Sequence, residues 1–77
     1  MSEKEIKRGQ RAKLILEDEL FLESVEEIRK SLDNQWLNTD PKNSEERERI
    51  YFMRRMLEVL LIQLSSVMET GKLAQTK

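Results

Sequence analysis

The residues most suggestive of chemistry are six carboxylates crowded into eleven positions: Glu17, Asp18, Glu19, Glu23, Glu26 and Glu27. Hard divalent cations take oxygen ligands, so acids at this density invite a metal hypothesis. Glu23 and Glu26 have the Glu-x-x-Glu spacing of one half of a magnesium site shared between two helices. The other half should be a second acid pair facing it, yet Glu58 is the only acid between Arg49 and Glu69. Di-iron bundles need Glu-x-x-His, and the chain has no His. These acids therefore read as a solvated helix face, paired in part with Arg54 and Arg55 across the fold.

The complementary cluster is basic. Lys4, Lys7, Arg8, Arg11 and Lys13 crowd the N-terminal stretch. Lys7, Arg8 and Arg11, with Arg54 and Arg55 further on, are the candidate anion-binding residues, strongest if an oligomer makes several arms converge. No aromatic side chain stands in that arm to stack on a base. The simpler expectation is solubility and dipole chemistry, or pairing with Glu69. Nucleophilic catalysis is disfavoured: with neither Cys nor His there is no triad, and no Gly-rich phosphate loop occurs. No catalytic, cofactor-binding or metal residues are assigned, and the chain is not expected to be an enzyme.

These clusters sit in a chain of 77 residues that is 38% charged and 38% apolar, with a net charge of −1. That is room for one domain. So short a chain buries a modest fraction of its surface, and many such domains need a metal, disulfides or oligomerisation to be stable. With Cys and His absent, oligomerisation is the staple that remains. A sequence pI near 5.5 disfavours a nucleic-acid adaptor, which would usually carry a basic excess. Charged residues follow Met1 where a secretory signal would be apolar. The longest apolar run, Val59-Leu60-Leu61-Ile62, is far too short to span a bilayer. A cytoplasmic protein with no membrane partner is expected.

The elements that must position these side chains are helices. The only turn-rich cluster is Leu37 to Ser44, around Pro41. Good helix formers without strand-like alternation flank it, which predicts helices over about 2–36 and about 44–70, with a turn over 37–43. Ser44 is the expected N-cap and Gly71 the expected residue just past the C-terminus. Gly9 could interrupt the first helix, and residues 1–8 and 72–77 could fray. A short turn implies an antiparallel two-helix hairpin, all-α, in a single domain over 1–77. If it centres near residue 40, Phe21 lies level with Val59, Ile28 with Phe52 and Gly9 with Gly71.

At about 100° per residue each helix shows two apolar faces. Leu14, Phe21, Val25, Ile28, Leu32 and Trp36 form one stripe of the first helix, with Leu16 and Leu20 pointing away. Ile50, Met53, Leu57, Leu60, Leu61, Leu64 and Met68 form the main stripe of the second, with Tyr51, Phe52, Val59 and Ile62 behind. A hairpin covers one stripe per helix, so the candidate interface is Leu16, Leu20, Tyr51, Phe52, Val59 and Ile62. An exposed patch of this kind marks an interaction surface. Self-association into a helical bundle is the preferred expectation. The alternatives are a short helix from residues 1–8 folding over the patch, or a monomer that docks on a different protein. Trp36 is expected to plug the turn end, and Arg47 or Arg49, set against the helix dipole, to find Asp33 or Asp40.

The order of residues adds a resemblance. Arg8-Gly9-Gln10-Arg11-Ala12 running on to Leu14-Ile15-Leu16, then Leu20-Phe21-Leu22-Glu23, Trp36-Leu37-Asn38-Thr39, Glu46 to Tyr51 and Gly71-Lys72-Leu73-Ala74 span most of the chain. In this order they resemble short helical proteins encoded by tailed bacteriophages, which read RGxxAxxLL, WxxT, ERE and GKxA. The resemblance implies a non-enzymatic phage accessory protein that binds another phage or host protein, in the infected cell or in the virion as an assembly or packaging component. It brings no catalytic residues with it. Small phage helical proteins also include inhibitors of host defence that sequester nucleotides, the alternative role for the basic clusters.

Overall fold

The computed structural model describes residues 2–76. They form three helices, α1 (Ser2–Glu17), α2 (Glu19–Leu37) and α3 (Ser44–Gln75), and no strand among the described residues. The protein is all-α, as its residue types dictate.

Three boundaries differ from the sequence expectation, each for a local reason. The first helix is divided at Asp18, whose backbone leaves helical geometry (φ −68°, ψ 124°). Its carboxylate accepts the Phe21 backbone N–H at 2.8 Å, so it caps α2. Asn43, not Ser44, caps α3, accepting from the Glu46 N–H at 3.2 Å. Gly71 does not end the last helix, which continues to Gln75 with Thr76 as C-cap. Neither glycine has a positive φ. Residues 2–8 and 72–75 are helical rather than frayed, and the expectations for Met1 and Lys77 lie outside the described residues. The turn covers 38–43, since Leu37 is still helical; Asp40 accepts the Lys42 N–H and Asn38 donates to the Asn34 carbonyl.

Both α1 and α2 pack along α3. Gly9 and Gly71 lie level, as the turn position predicted. A Cβ on either would come within 2.8 Å of the other's Cα, so the two helix backbones touch where expectation had them lose regularity. Ala12 is buried beside this crossing, and Ile6 and Leu16 are half-buried. Toward the turn, Val25, Leu32 and Ile50 form the remaining core. Trp36 closes that end half-exposed, with the Arg47 guanidinium 4.4 Å above its ring. Arg49 bonds to Glu46 and Gln35 rather than to Asp33 or Asp40.

The break at Asp18 corrects the predicted stripe of the first helix. Counting 100° steps through a non-helical residue loses the phase, and Leu14, assigned to the core with Phe21 and Val25, is 69% exposed. Leu16, assigned to the reverse face, is turned partly inward. In α3 Ile50, Leu57, Leu61, Leu64, Met68 and Gly71 are turned inward with a 7-4-3-4-3 spacing typical of helix pairing, and Val67 and Ala74 are half-buried beside them. Met53 and Leu60, counted in that stripe, are 45% and 51% exposed.

Candidate functional site

The molecule measures 53 × 23 × 14 Å. Since one helix with its side chains is about 10–12 Å across, this is a single layer with two broad faces and no second layer over either. Its radius of gyration is 16.7 Å, against about 11–12 Å for a compact domain of this length. It exposes 6323 Å², where a compact 9.2 kDa monomer would expose about 4,900 Å².

The two faces differ in chemistry. Arg29 donates to Glu58 at 2.9 Å and Arg54 pairs with Asp33, both across α2 and α3. On a helical wheel these four residues lie to one side of the α2–α3 contact line, with Tyr51, Ile62 and Leu22. The side chains of Leu32, Asp33, Trp36, Ile50, Tyr51 and Arg54 line a small cleft there. Ile28 of α2 and Met53, Met56 and Leu60 of α3 project to the other side, all exposed. Half-buried Phe21 and Leu57 lie beneath them. Ile15 of α1 extends the patch, beside Leu64 and Val67. No ion pair among the described residues bridges two helices across this face.

Of the predicted interface residues, Leu20, Tyr51, Phe52, Val59 and Ile62 are exposed and Leu16 is not. They do not form one patch. Tyr51 and Ile62 belong to the ion-paired face, whereas Phe52 and Val59 lie on the outer edge of α3. The Phe52 ring packs edge-on against Tyr51 at 5.7 Å between centroids. Ile28, Met53, Met56 and Leu60, the centre of the apolar face, were missed because the stripe count assigned three of them to the core.

The candidate anion-binding residues fall into two groups. Lys7, Arg8 and Arg11 share a shallow concavity on α1 with Lys4 and Glu3, and Lys7 lies 4.0 Å from Glu3. Arg54 and Arg55 are elsewhere: Arg8 neighbours Val67 and Thr70, which at 1.5 Å per residue is about 20 Å along α3 from Arg54. Glu69 pairs with Lys72 at 3.6 Å, not with the arm. Of the acid cluster, Asp18 is a helix cap, a role signalled by its place just before Glu19 and the apolar run that follows. Among the described residues no group of three or more His, Cys, Asp or Glu could hold a metal ion. Nor is any described helix long and apolar enough to cross a membrane.

Comparison with known proteins finds no matching family model, no matching curated protein and no matching solved structure.

Proposed function

We propose that this chain is a non-enzymatic helical hairpin that acts by associating with itself and, as an assembly, with another protein. The setting implied by its resemblance to phage proteins is that of an accessory, virion or packaging component. The observation that supports this reading is the single-layer build. Among the described residues only Ala12, Val25, Leu32 and Ile50 are buried apolar residues, while fifteen large apolar side chains stay exposed. Each such side chain left in water forgoes roughly 1.5–3 kcal/mol of burial, comparable with the whole stability of a domain this size. A second layer of helices over one broad face would cover part of that surface and reduce the deficit.

The test is the solution mass by light scattering at two concentrations, in low and moderate salt. A multiple of 9.2 kDa that persists in both salts is expected. A monomer throughout overturns self-association.

A second reading, sequestration of an anionic ligand such as a nucleotide, draws on the concavity that Lys4, Lys7, Arg8 and Arg11 share. A nucleotide that raises the melting temperature in proportion to ln concentration would support it. No shift at millimolar nucleotide would remove it.

A further inference from the structure

Self-association leaves open which surface is used and in what orientation, and two observations bear on both. The first is area. A face of 53 × 23 Å exceeds the roughly 800 Å² per partner of a standard stable interface. The excess of exposed surface over a compact monomer is of the same order. Of the two broad faces, the one bearing Ile15, Ile28, Met53, Met56 and Leu60 carries one ion pair, Arg49–Glu46 within α3 near the turn, where Arg49 also donates to Met53 and Gln35, and no inter-helix ion pair. The other would desolvate Arg29–Glu58 and Arg54–Asp33, which is costly.

The second observation is charge. In α1 the cations Lys4, Lys7, Arg8, Arg11 and Lys13 outnumber Glu3, Glu5 and Glu17. In α2 the acids Glu19, Glu23, Glu26, Glu27 and Asp33 outnumber Arg29 and Lys30. In α3 five acids balance five cations. The edge built from α1 and α2 is thus positive at one end and negative at the other, and the α3 edge is neutral. Two copies meeting face to face around a twofold axis perpendicular to the helices lay α1 of each along α2 of the other. That orientation sets positive against negative twice. A twofold axis parallel to the helices would lay both charged edges on neutral α3 edges and gain nothing.

Resting on the self-association reading, we infer that the apolar face seats a second copy of this chain as an antiparallel, twofold dimer, a four-helix layer pair with Leu60 beside the axis. Full overlap of two α3 helices spanning Ser44–Gln75 puts the axis at their midpoint. That midpoint lies between Val59 and Leu60; with the axis at Leu60, the one of the two on the apolar face, Leu60 meets Leu60 of the other copy and Met53 meets Val67.

The absence of Cys makes this directly testable by single-cysteine cross-linking of the full chain under mild oxidation. Leu60→Cys should form a disulfide-linked dimer on a non-reducing gel. Met53→Cys alone should not, but should cross-link when mixed with Val67→Cys. A disulfide requires Cα atoms within about 7 Å, so the parallel arrangement, which holds the two Leu60 positions a helix diameter or more apart, fails for Leu60→Cys. The charge argument has its own variants. Glu23→Lys with Glu27→Lys should weaken the dimer about tenfold or more at low salt, and Arg8→Glu with Arg11→Glu in the same chain should restore it. An oligomer in which Leu60→Cys stays unlinked, or in which Met53→Cys links as readily alone, overturns the orientation while self-association stands. A charge-reversed variant that keeps wild-type affinity also overturns it. A monomer at all concentrations removes both inferences.

Discussion

The contact of α1 with α3 and that of α2 with α3 are built on opposite principles. At the first, Gly9 and Gly71 remove side chains altogether and the backbones approach until a Cβ on either would lie 2.8 Å from the other's Cα. At the second, Val25, Leu32 and Ile50 hold the helices apart, and the long side chains of Arg29–Glu58 and Arg54–Asp33 span the gap. Close approach gains dispersion contacts but tolerates no added atom. The wider contact tolerates change at its ion-paired rim but depends on a few large apolar side chains. Asp18 stands between the two contacts, its extended backbone dividing α1 from α2.

The largest effect should come from the wider contact. Leu32→Ala or Ile50→Ala, each at a side chain 2% exposed, should cost about 2–5 kcal/mol in urea unfolding at fixed protein concentration. Hydrogen exchange should rise in α2 more than in α1. The converse break is Gly71→Val. Its added atoms meet the Gly9 Cα at 2.8 Å and the Glu5 carbonyl oxygen at 2.9 Å, backbone that cannot turn aside. Overpacking of about 1–3 kcal/mol is expected, with exchange rising in α1 first; an unchanged midpoint would mean that the crossing accommodates a side chain.

Asp18→Ala tests the hinge between the two contacts and should cost about 1 kcal/mol through loss of the α2 cap. A gain in stability with higher helicity would show that a continuous helix serves as well. The Arg29–Glu58 pair, with side chains 34% and 40% exposed, should show a coupling of only about 0.2–1 kcal/mol in a double-mutant cycle.

The smallest effect is in pH. The side-chain hydrogen bond from Arg49 holds Glu46 below its ordinary value of 4.5, partial desolvation opposes this, and the charge of Arg49 adds to it. A carboxyl lowered on folding contributes stability that is present above 4.5 and lost as pH falls through the lower folded value. Glu46→Gln should therefore lower stability slightly at neutral pH, leave it unchanged below the folded value, and so flatten the acid limb of the stability curve.

Much of this was legible in the residues. The turn around Pro41, the two helical arms and the level of Gly9 with Gly71 follow from local propensity and from counting outward from one turn. The candidate surface was legible only as a surplus: more apolar residues than one contact can cover. Which residues compose it was not, since phase counted through Asp18 is lost and a side chain in the main stripe need not reach the opposing helix. Met53 and Leu60 carry the same periodic signal as Leu57 and Leu64, yet the pair on the broad face stays exposed while the other two are half-buried.

By itself, then, the sequence determined an all-helical chain, because its propensities and single turn act over a few residues and need no distant partner. Only the tertiary structure decided that Gly71 lies inside a helix rather than at its end. A glycine with negative φ and one with positive φ are the same letter, and the close approach of Gly9 selects between them. The same holds for the faces: a helix turns its stripe toward whatever it packs against, and that direction is set by the neighbouring helix.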